Sequence, residues 1–339
     1  MKGKRIPLVL GTFLALLAGT AFGQFKASGY LAFQFEKGDS ESAFPDGTFR
    51  DTQAGLIVTG QTGNFFFYNL EARLRSEAQA VIEEAWVALQ PSDAFSLRMG
   101  LYLVPFGKYN RSHRPHETLF IQTPLHLEAL YPASWRDIGL FVEGRVGVLN
   151  YSAYLGNGLG EAAELRGGQQ FEDNNADKAR GGRASLFLSQ SFEVGVSYYR
   201  GKYDEENSRR LILQGVDVSW NDDPFLFLYE YGKASADNPG DYPRGVTEGH
   251  FFLLSLRIGS FTPLVSYQKL SLDDSYHGPG FEPGVGPGSG LSARLSRWAC
   301  GIAYTPAPGL FFKIEYDFNR ETVGSLQNDA FLAQVALRF

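Results

Sequence analysis

The stretch with the most concentrated chemistry is Lys108-Tyr109-Asn110-Arg111-Ser112-His113-Arg114-Pro115-His116, which carries three fixed cations, two histidines and no acid. Fixed cations of this kind attract and pass anions when they line a confined aqueous path. As a metal site the stretch is weak, because His113 and His116 stand three apart beside a proline and no acid at a recognisable spacing completes a ligand set. Catalytic patterns are also thin. Gly156-Asn157-Gly158-Leu159-Gly160 is not a phosphate-cradling loop and lacks a following helix, and no Gly-x-Ser-x-Gly elbow occurs. The single cysteine, Cys300, has no partner for an intramolecular disulfide and reads as a small packed hydrophobe. No catalytic residue, metal or cofactor is therefore expected.

Other charges fall at every second position. From Leu310 to Arg320, the set Leu310, Phe312, Ile314, Tyr316 and Phe318 alternates with Phe311, Lys313, Glu315, Asp317 and Asn319. Only a strand puts such sets on opposite faces. Tyr68, Leu70, Ala72 and Leu74 alternate with Asn69, Glu71, Arg73 and Arg75, and Phe95, Leu97, Met99 and Leu101 with Ser96, Arg98, Gly100 and Tyr102. The interior of a packed sandwich seldom tolerates so many charges, so the polar face must meet water or pair with itself. The apolar face is crowded with aromatics, as membrane interfaces demand.

The elements that must hold these residues follow from breakers and alternation. Strands are expected near 25–37, 49–61, 64–76, 80–90, 95–105, 136–145, 148–157, 180–189, 192–203, 210–220, 225–234, 248–258, 261–271, 293–305, 310–320 and 329–339, about sixteen in all. Two of them, Ala80 to Gln90 and Arg210 to Trp220, alternate poorly. Every second connection is short, and the long segments rich in Gly, Pro and acids all lie on the other side, the asymmetry of outer-membrane barrels. A sheet in lipid cannot leave edge amides unpaired, so the last strand must pair with the first. Closure at about sixteen strands leaves an aqueous channel. The fold class expected is an all-β transmembrane antiparallel barrel with a long third outside loop.

The remaining composition agrees. The chain has 339 residues, 44% hydrophobic and 20% charged, with net charge −6, which argues against disorder and against general nucleic-acid binding. Lys2, Lys4 and Arg5 precede the apolar run Ile6 to Leu17 and then Ala21-Phe22-Gly23, the pattern of a cleaved secretory signal over 1–23. Residues 24–339 would form the barrel, with no plug ahead of the first strand. The closing strand would end on Phe331, Ala333, Val335, Leu337 and Phe339, resembling bacterial outer-membrane proteins, whose assembly machinery reads a terminal Phe.

The longest connection, Phe106 to Trp135, is the functional clue. Phe120, Ile121, Leu125, Leu127, Leu130, Tyr131 and Trp135 are too apolar for a free tail, so it packs, and inside the lumen it would narrow the pore. GLYLVPFGKY (Gly100 to Tyr109), SWRDIGLFVEG (Ser134 to Gly144) and LNYSAYLGNGLG (Leu149 to Gly160) resemble the phosphate-selective porin O/P family, in which a strand ending in Pro-Phe-Gly opens a long loop and an Arg-Asp-Ile-Gly strand follows it. The resemblance implies a porin more firmly than it implies phosphate, and the anion-binding lysines of that family do not align here.

Alternation places Arg73, Arg75, Arg98, Arg145, Arg183, Arg257, Arg297, Lys313 and Arg338 on the lumen face, against Glu71, Glu84, Glu143, Glu193, Glu230, Glu315 and Asp317. With Lys108, Arg111 and Arg114 from the loop, these are the expected pore-lining charges, and they suggest a modest preference for anions. Pairing across neighbouring strands is the competing use of the same charges. Expected partners are outer-membrane lipid and lipopolysaccharide, small hydrophilic and anionic solutes, and further copies of the chain in a homotrimer. Two other classes stay open: a soluble or surface β-protein binding glycans, and an outer-membrane barrel enzyme drawing on His113, His116, His250 or His277.

Overall fold

Sixteen antiparallel strands close into one barrel in the computed structural model, which describes residues 25–76, 79–273, 276, 294–321 and 326–339. The strands are β1 (Phe25–Gly38), β2 (Thr48–Thr62), β3 (Phe66–Arg75), β4 (Ala80–Ser92), β5 (Phe95–Leu103), β6 (Arg136–Val146), β7 (Leu149–Gly156) and β8 (Ala179–Phe187). They continue with β9 (Phe192–Lys202), β10 (Arg210–Asp222), β11 (Phe225–Ala236), β12 (Gly245–Leu256), β13 (Phe261–Asp273), β14 (Arg294–Ala307), β15 (Leu310–Glu321) and β16 (Ala330–Arg338). The leader expected over 1–23 and the Gly-Pro run 278–290 lie outside the described residues.

Each strand pairs with its neighbours in sequence, and β16 pairs with β1, so the sheet has no free edge. The seam runs to the last residue: Gly29 N–H donates to the Phe339 carbonyl at 2.8 Å and Phe339 N–H to the Gly29 carbonyl at 3.0 Å. Side chains alternate as predicted. Leu74, Val87, Met99, Val196 and Ile314 are exposed on the outer face, whereas Glu71, Asp217, Lys313 and Glu315 are buried on the inner one. Phe66, Phe95, Trp220, Phe225, Phe261 and Tyr304 ring the outer face near the short turns, with Tyr198, Trp298 and Phe318 toward the long loops, the two girdles of a lipid-spanning barrel. Cys300 is not packed in a core; it is exposed on β14, next in the outward row to Trp298 and Ile302.

The two poorly alternating strands have separate physical causes. On β4 the register slips between Glu71 paired with Glu84 and Ala72 paired with Ile82, so Glu83 is a bulge residue. The bulge turns both Glu83 and Glu84 inward, and Glu83 is fully buried. On β10, Leu211 and Leu213 face inward yet are completely buried in an apolar cluster. Both faces of that strand are apolar there, so no contrast marks the period.

That cluster corrects the expectation of a uniformly water-filled lumen. Inward residues of β5–β11, among them Tyr102, Phe141, Tyr154 and Tyr199, pack against Phe106, Leu127, Leu130, Tyr131 and Trp135 of the long connection between β5 and β6. The connection folds back into the barrel, with a 3-10 turn at Tyr109–Ser112 and a short helix, α1 (Leu125–Leu130).

Candidate functional site

The loop enters the lumen through Pro105-Phe106-Gly107. Gly107 has φ 62, and a Cβ there would collide with the Glu230 carboxylate, so this corner requires glycine. The close approach serves a purpose: Glu230 accepts the backbone N–H groups of Lys108 at 2.9 Å and Tyr109 at 3.1 Å, while His126 Nε2 lies 3.3 Å from its other oxygen. Gly107 N–H donates to Ser197 Oγ at 3.0 Å. Across the wall, Ser197, Gly215, Gly232 and Gly249 are directly opposite one another on β9, β10, β11 and β12. This row of small residues leaves the inner wall bare where the loop docks. A Cβ on Gly215 would meet Phe106, one on Gly232 would meet Leu130 at 2.6 Å, and one on Gly249 would meet His126.

Further fasteners hold the rest of the loop. Glu315 accepts from the N–H groups of Ile121 at 2.5 Å and Gln122 at 3.3 Å, Gln268 from Leu125 N–H at 2.9 Å, and Lys313 donates to the Pro115 carbonyl at 2.5 Å. Arg114 Nε donates to Glu71 at 2.9 Å, with Glu84 at 3.7 Å and Glu117 at 3.0 Å. Asn110 ties the loop's base, donating to the Val104 and Trp135 carbonyls at 2.9 and 3.0 Å and accepting Trp135 N–H at 2.9 Å. Phe106, Tyr131, Trp135 and Tyr199 touch in sequence, edge-to-face, tilted and edge-to-face, at centroid distances of 5.4, 5.1 and 4.9 Å. Burial makes these contacts strong, since a hydrogen bond to a charged group contributes about 1.5–3 kcal/mol and an orphaned partner costs at least as much.

The two other motif strings form a second anchor. Asp137 of the Arg-Asp-Ile-Gly string is fully buried and accepts from Asn157 N–H at 2.9 Å and Gly158 N–H at 3.0 Å, fixing the exit of β7. Arg136 donates to the Ile82 carbonyl at 2.8 Å and lies 3.5 Å from Glu83, which also ion-pairs with Arg73.

Polar space remains on both sides of the 3-10 turn. On the long-loop side a cavity of about 90 Å³ is bounded by Asp51, Gln53, Arg73, Arg75, His113 and Gln334. On the short-turn side a cavity of about 310 Å³ is bounded by Asp93, Ser96, Arg111, Glu143, Arg145, Asn150 and Arg183, among others. Arg111, with 47% of its side chain exposed and Glu143 3.7 Å away, reaches from the turn into this second cavity. Burial and the neighbouring Arg114 guanidinium push His113 down to about 3 and His116 down to about 4.

The expected pore-lining charges thus separate. Arg75, Arg111, Glu143, Arg145 and Arg183 line water-accessible space. Arg98 lies against them, ion-paired to Glu143 and stacked 4.4 Å over Trp86. Lys108 pairs with Glu193 at 2.6 Å, and Arg297 donates to the Thr123 carbonyl at 3.3 Å and to Asn319 at 2.9 Å. With Arg114, Lys313 and Glu315 they fasten the loop. Arg257 is not on the lumen wall: it follows β12 in a short turn, 65% exposed and 3.2 Å from Asp223. Sequence reasoning passed over Glu83, Asp137, Asn110, His126 and the glycine row. The glycines leave a trace, an equal spacing of 17 residues at one inward parity.

The family described as phosphate-selective porin O and P matches residues 28–224, more than half of the chain. An uncharacterized protein of Aquifex aeolicus (strain VF5) is 26% identical over 145 residues, 39% of this chain; the match spans only 33% of that relative. Among solved structures, the trimer form of OmpT, an outer membrane protein of Vibrio cholerae, has a TM-score of 0.66 at 10% identity, covering 94% of this chain and 100% of that one. The anion-selective porin from Comamonas acidovorans has a TM-score of 0.64 at 11% identity, covering 93% and 98%. At such identities the likeness concerns the fold.

Proposed function

The chain belongs to the phosphate-selective porin O and P family, and from that premise we propose that it is an outer-membrane channel for small hydrophilic solutes with a preference for anions, phosphate among them. Family and fold are those of a channel in the bacterial outer membrane rather than of an enzyme. The observation that carries the anion reading is the cavity beside the 3-10 turn, bounded by Arg111 and Arg145 with Asp93 and Glu143, and by Arg183, which is itself ion-paired with Asp217 and Glu193. Among the loop cations Arg111 bears most of the preference, because it is the most exposed and stands 3.7 Å from Glu143, whereas Lys108 and Arg114 are held at 2.6 and 2.5 Å by wall carboxylates. The docked loop limits the size of what passes. Export through a cleaved signal over 1–23, contact with outer-membrane lipid and lipopolysaccharide, and assembly as a homotrimer complete the proposal; the trimer form of the similarly folded Vibrio cholerae protein supports the last.

Single-channel recording in a planar bilayer under a salt gradient tests it. A reversal potential favouring chloride over potassium, lowered by phosphate competition and by Arg111→Glu, is expected. Cation preference in the wild type would overturn the anion reading, and no conductance at all would overturn the channel.

A further inference from the structure

The outer face of the barrel carries a cluster of cations that channel function does not use. Arg180 on β8 and Arg200 on β9 are directly opposite each other, both exposed, and Lys202 on β9 is directly opposite Arg210 on β10. Alternation turns all four outward, since Tyr199, Gly201 and Leu211 between them are buried on the inner face. Like charges directly opposite on antiparallel strands repel, and a guanidinium on the lipid side of a barrel is tolerated only near the interface. Arg210 has Asp237 at 3.6 Å, and Lys202 donates to the Asn207 carbonyl at 2.5 Å. Arg180 and Arg200 have no carboxylate within ion-pair distance among the described residues. The contrast with β11 and β12 is direct: there outward Lys233 stands opposite Glu248, which Tyr231 also holds at 3.0 Å.

The cluster sits at the upper rim of the lipid belt. Leu155 is directly opposite Arg180, and Tyr198, Val196 and, farther along β8, Leu186 continue the outward face toward the short turns, all more than a third exposed; the loops of the long-loop side begin immediately beyond. At that height in the outer leaflet the abundant anion is a lipid phosphate. Two opposed guanidinium groups offer paired N–H donors to a tetrahedral oxyanion, which replaces their mutual repulsion with charge-assisted hydrogen bonds. A second copy of this chain is a poorer occupant, because Asp237 and Glu248, outward acids on this part of the wall, are already engaged.

We propose that Arg180 and Arg200, flanked by Lys202 and Arg210, bind the phosphate of a phosphorylated outer-leaflet lipid. The proposal rests on the reading of the chain as an outer-membrane barrel, and its test does not depend on conduction. Native mass spectrometry of the full-length purified protein in detergent would compare a bisphosphorylated acylated glucosamine disaccharide with its dephosphorylated form, with inorganic phosphate as a third probe. Wild-type protein is expected to retain the phosphorylated lipid at least tenfold better than the dephosphorylated one, and Arg180→Gln/Arg200→Gln to lose that difference while keeping its heat-modifiable mobility. Arg200→Lys should keep part of it. Equal retention of both lipids, retention unaffected by the double variant, or equally strong capture of inorganic phosphate would each overturn the proposal. So would a double variant whose only change is its oligomeric state, which would assign the patch to a second copy. Should the double variant lose its folded mobility, the two singles Arg180→Gln and Arg200→Gln give the same readout.

Discussion

Two sides of the lumen use the same residue types for opposite purposes. Against β9–β15 the inward charges are covered by the loop: Glu230 and Glu315 take backbone amides, and Lys313 gives to a carbonyl. Against β4–β8, Arg111, Arg145, Arg183 and Glu143 border open polar space. The difference is not in the charges but in the wall between them. Where β10–β12 present glycine at Gly215, Gly232 and Gly249, chain can approach closely enough for carboxylates to replace water. Where the wall presents Ser152 and Asn150, polar space stays open.

Filling the glycine row should therefore erase the comparison most strongly. Gly232→Leu would drive a side chain into the space of Leu130, and overpacking of this kind costs about 1–3 kcal/mol. The loop is expected to leave the wall, with a larger single-channel conductance, weaker size exclusion in a liposome-swelling assay, and new protease cleavage between residues 106 and 135. Glu230→Ala removes the acceptor for Lys108, Tyr109 and His126, at about 3 kcal/mol if one buried polar contact with charge is counted. It should give the same phenotype to a comparable degree. Unchanged conductance and protection in both variants would mean that the docked loop does not control passage.

The barrel was legible wherever the two faces differ in polarity, as in Leu310 to Arg320, where lipid and lumen impose opposite demands. It was illegible where packing removed the contrast, at Leu211 and Leu213, and where a bulge reset the parity at Glu83. The loop cations were visible as cations, but their partners were not: Lys108 and Glu193 are 85 residues apart, and Arg114 and Glu71 are 43 apart. Whether a lysine conducts or fastens depends on such long-range pairings, which local pattern does not encode. The string Pro105-Phe106-Gly107 marks the entry corner without revealing that Glu230 is what makes glycine necessary there.

On the open side, Arg111→Glu should move the reversal potential toward cation preference without altering conductance as much as Gly232→Leu does. The changed charge sits at the edge of the cavity of about 310 Å³ and leaves the loop's fasteners intact. Lys108→Gln, a change on the fastened side, should shift selectivity less and loop protection more.

Acid should weaken loop docking in a defined window. Docked His113 and His116 are held neutral, down to about 3 and 4, by burial and by Arg114, with Arg73 and Arg136 adding to the effect at His113 and Arg338 and Lys313 at His116. Glu83 and Glu117, each 3.9 Å from one of the rings, do not reverse it. A released loop would return both rings to about 6.5. The docked state is then fully stable above that pH and loses stability as pH falls toward 4, because the released state binds more protons. Conductance noise from loop opening should rise between pH 6.5 and 4, and His113→Gln/His116→Gln should flatten the rise.

The smallest effect is expected at Arg257. Its parity is that of the lumen, yet it lies in a short turn, 65% exposed and paired with Asp223, itself 71% exposed. Screening at physiological salt acts over about 8 Å, so a paired, solvated charge at the rim contributes little to the field inside. Arg257→Glu should leave reversal potential and conductance at their wild-type values in moderate salt, with a difference emerging only as ionic strength is lowered. A shift as large as that of Arg111→Glu would mean that the rim, not the turn inside the lumen, selects the ion.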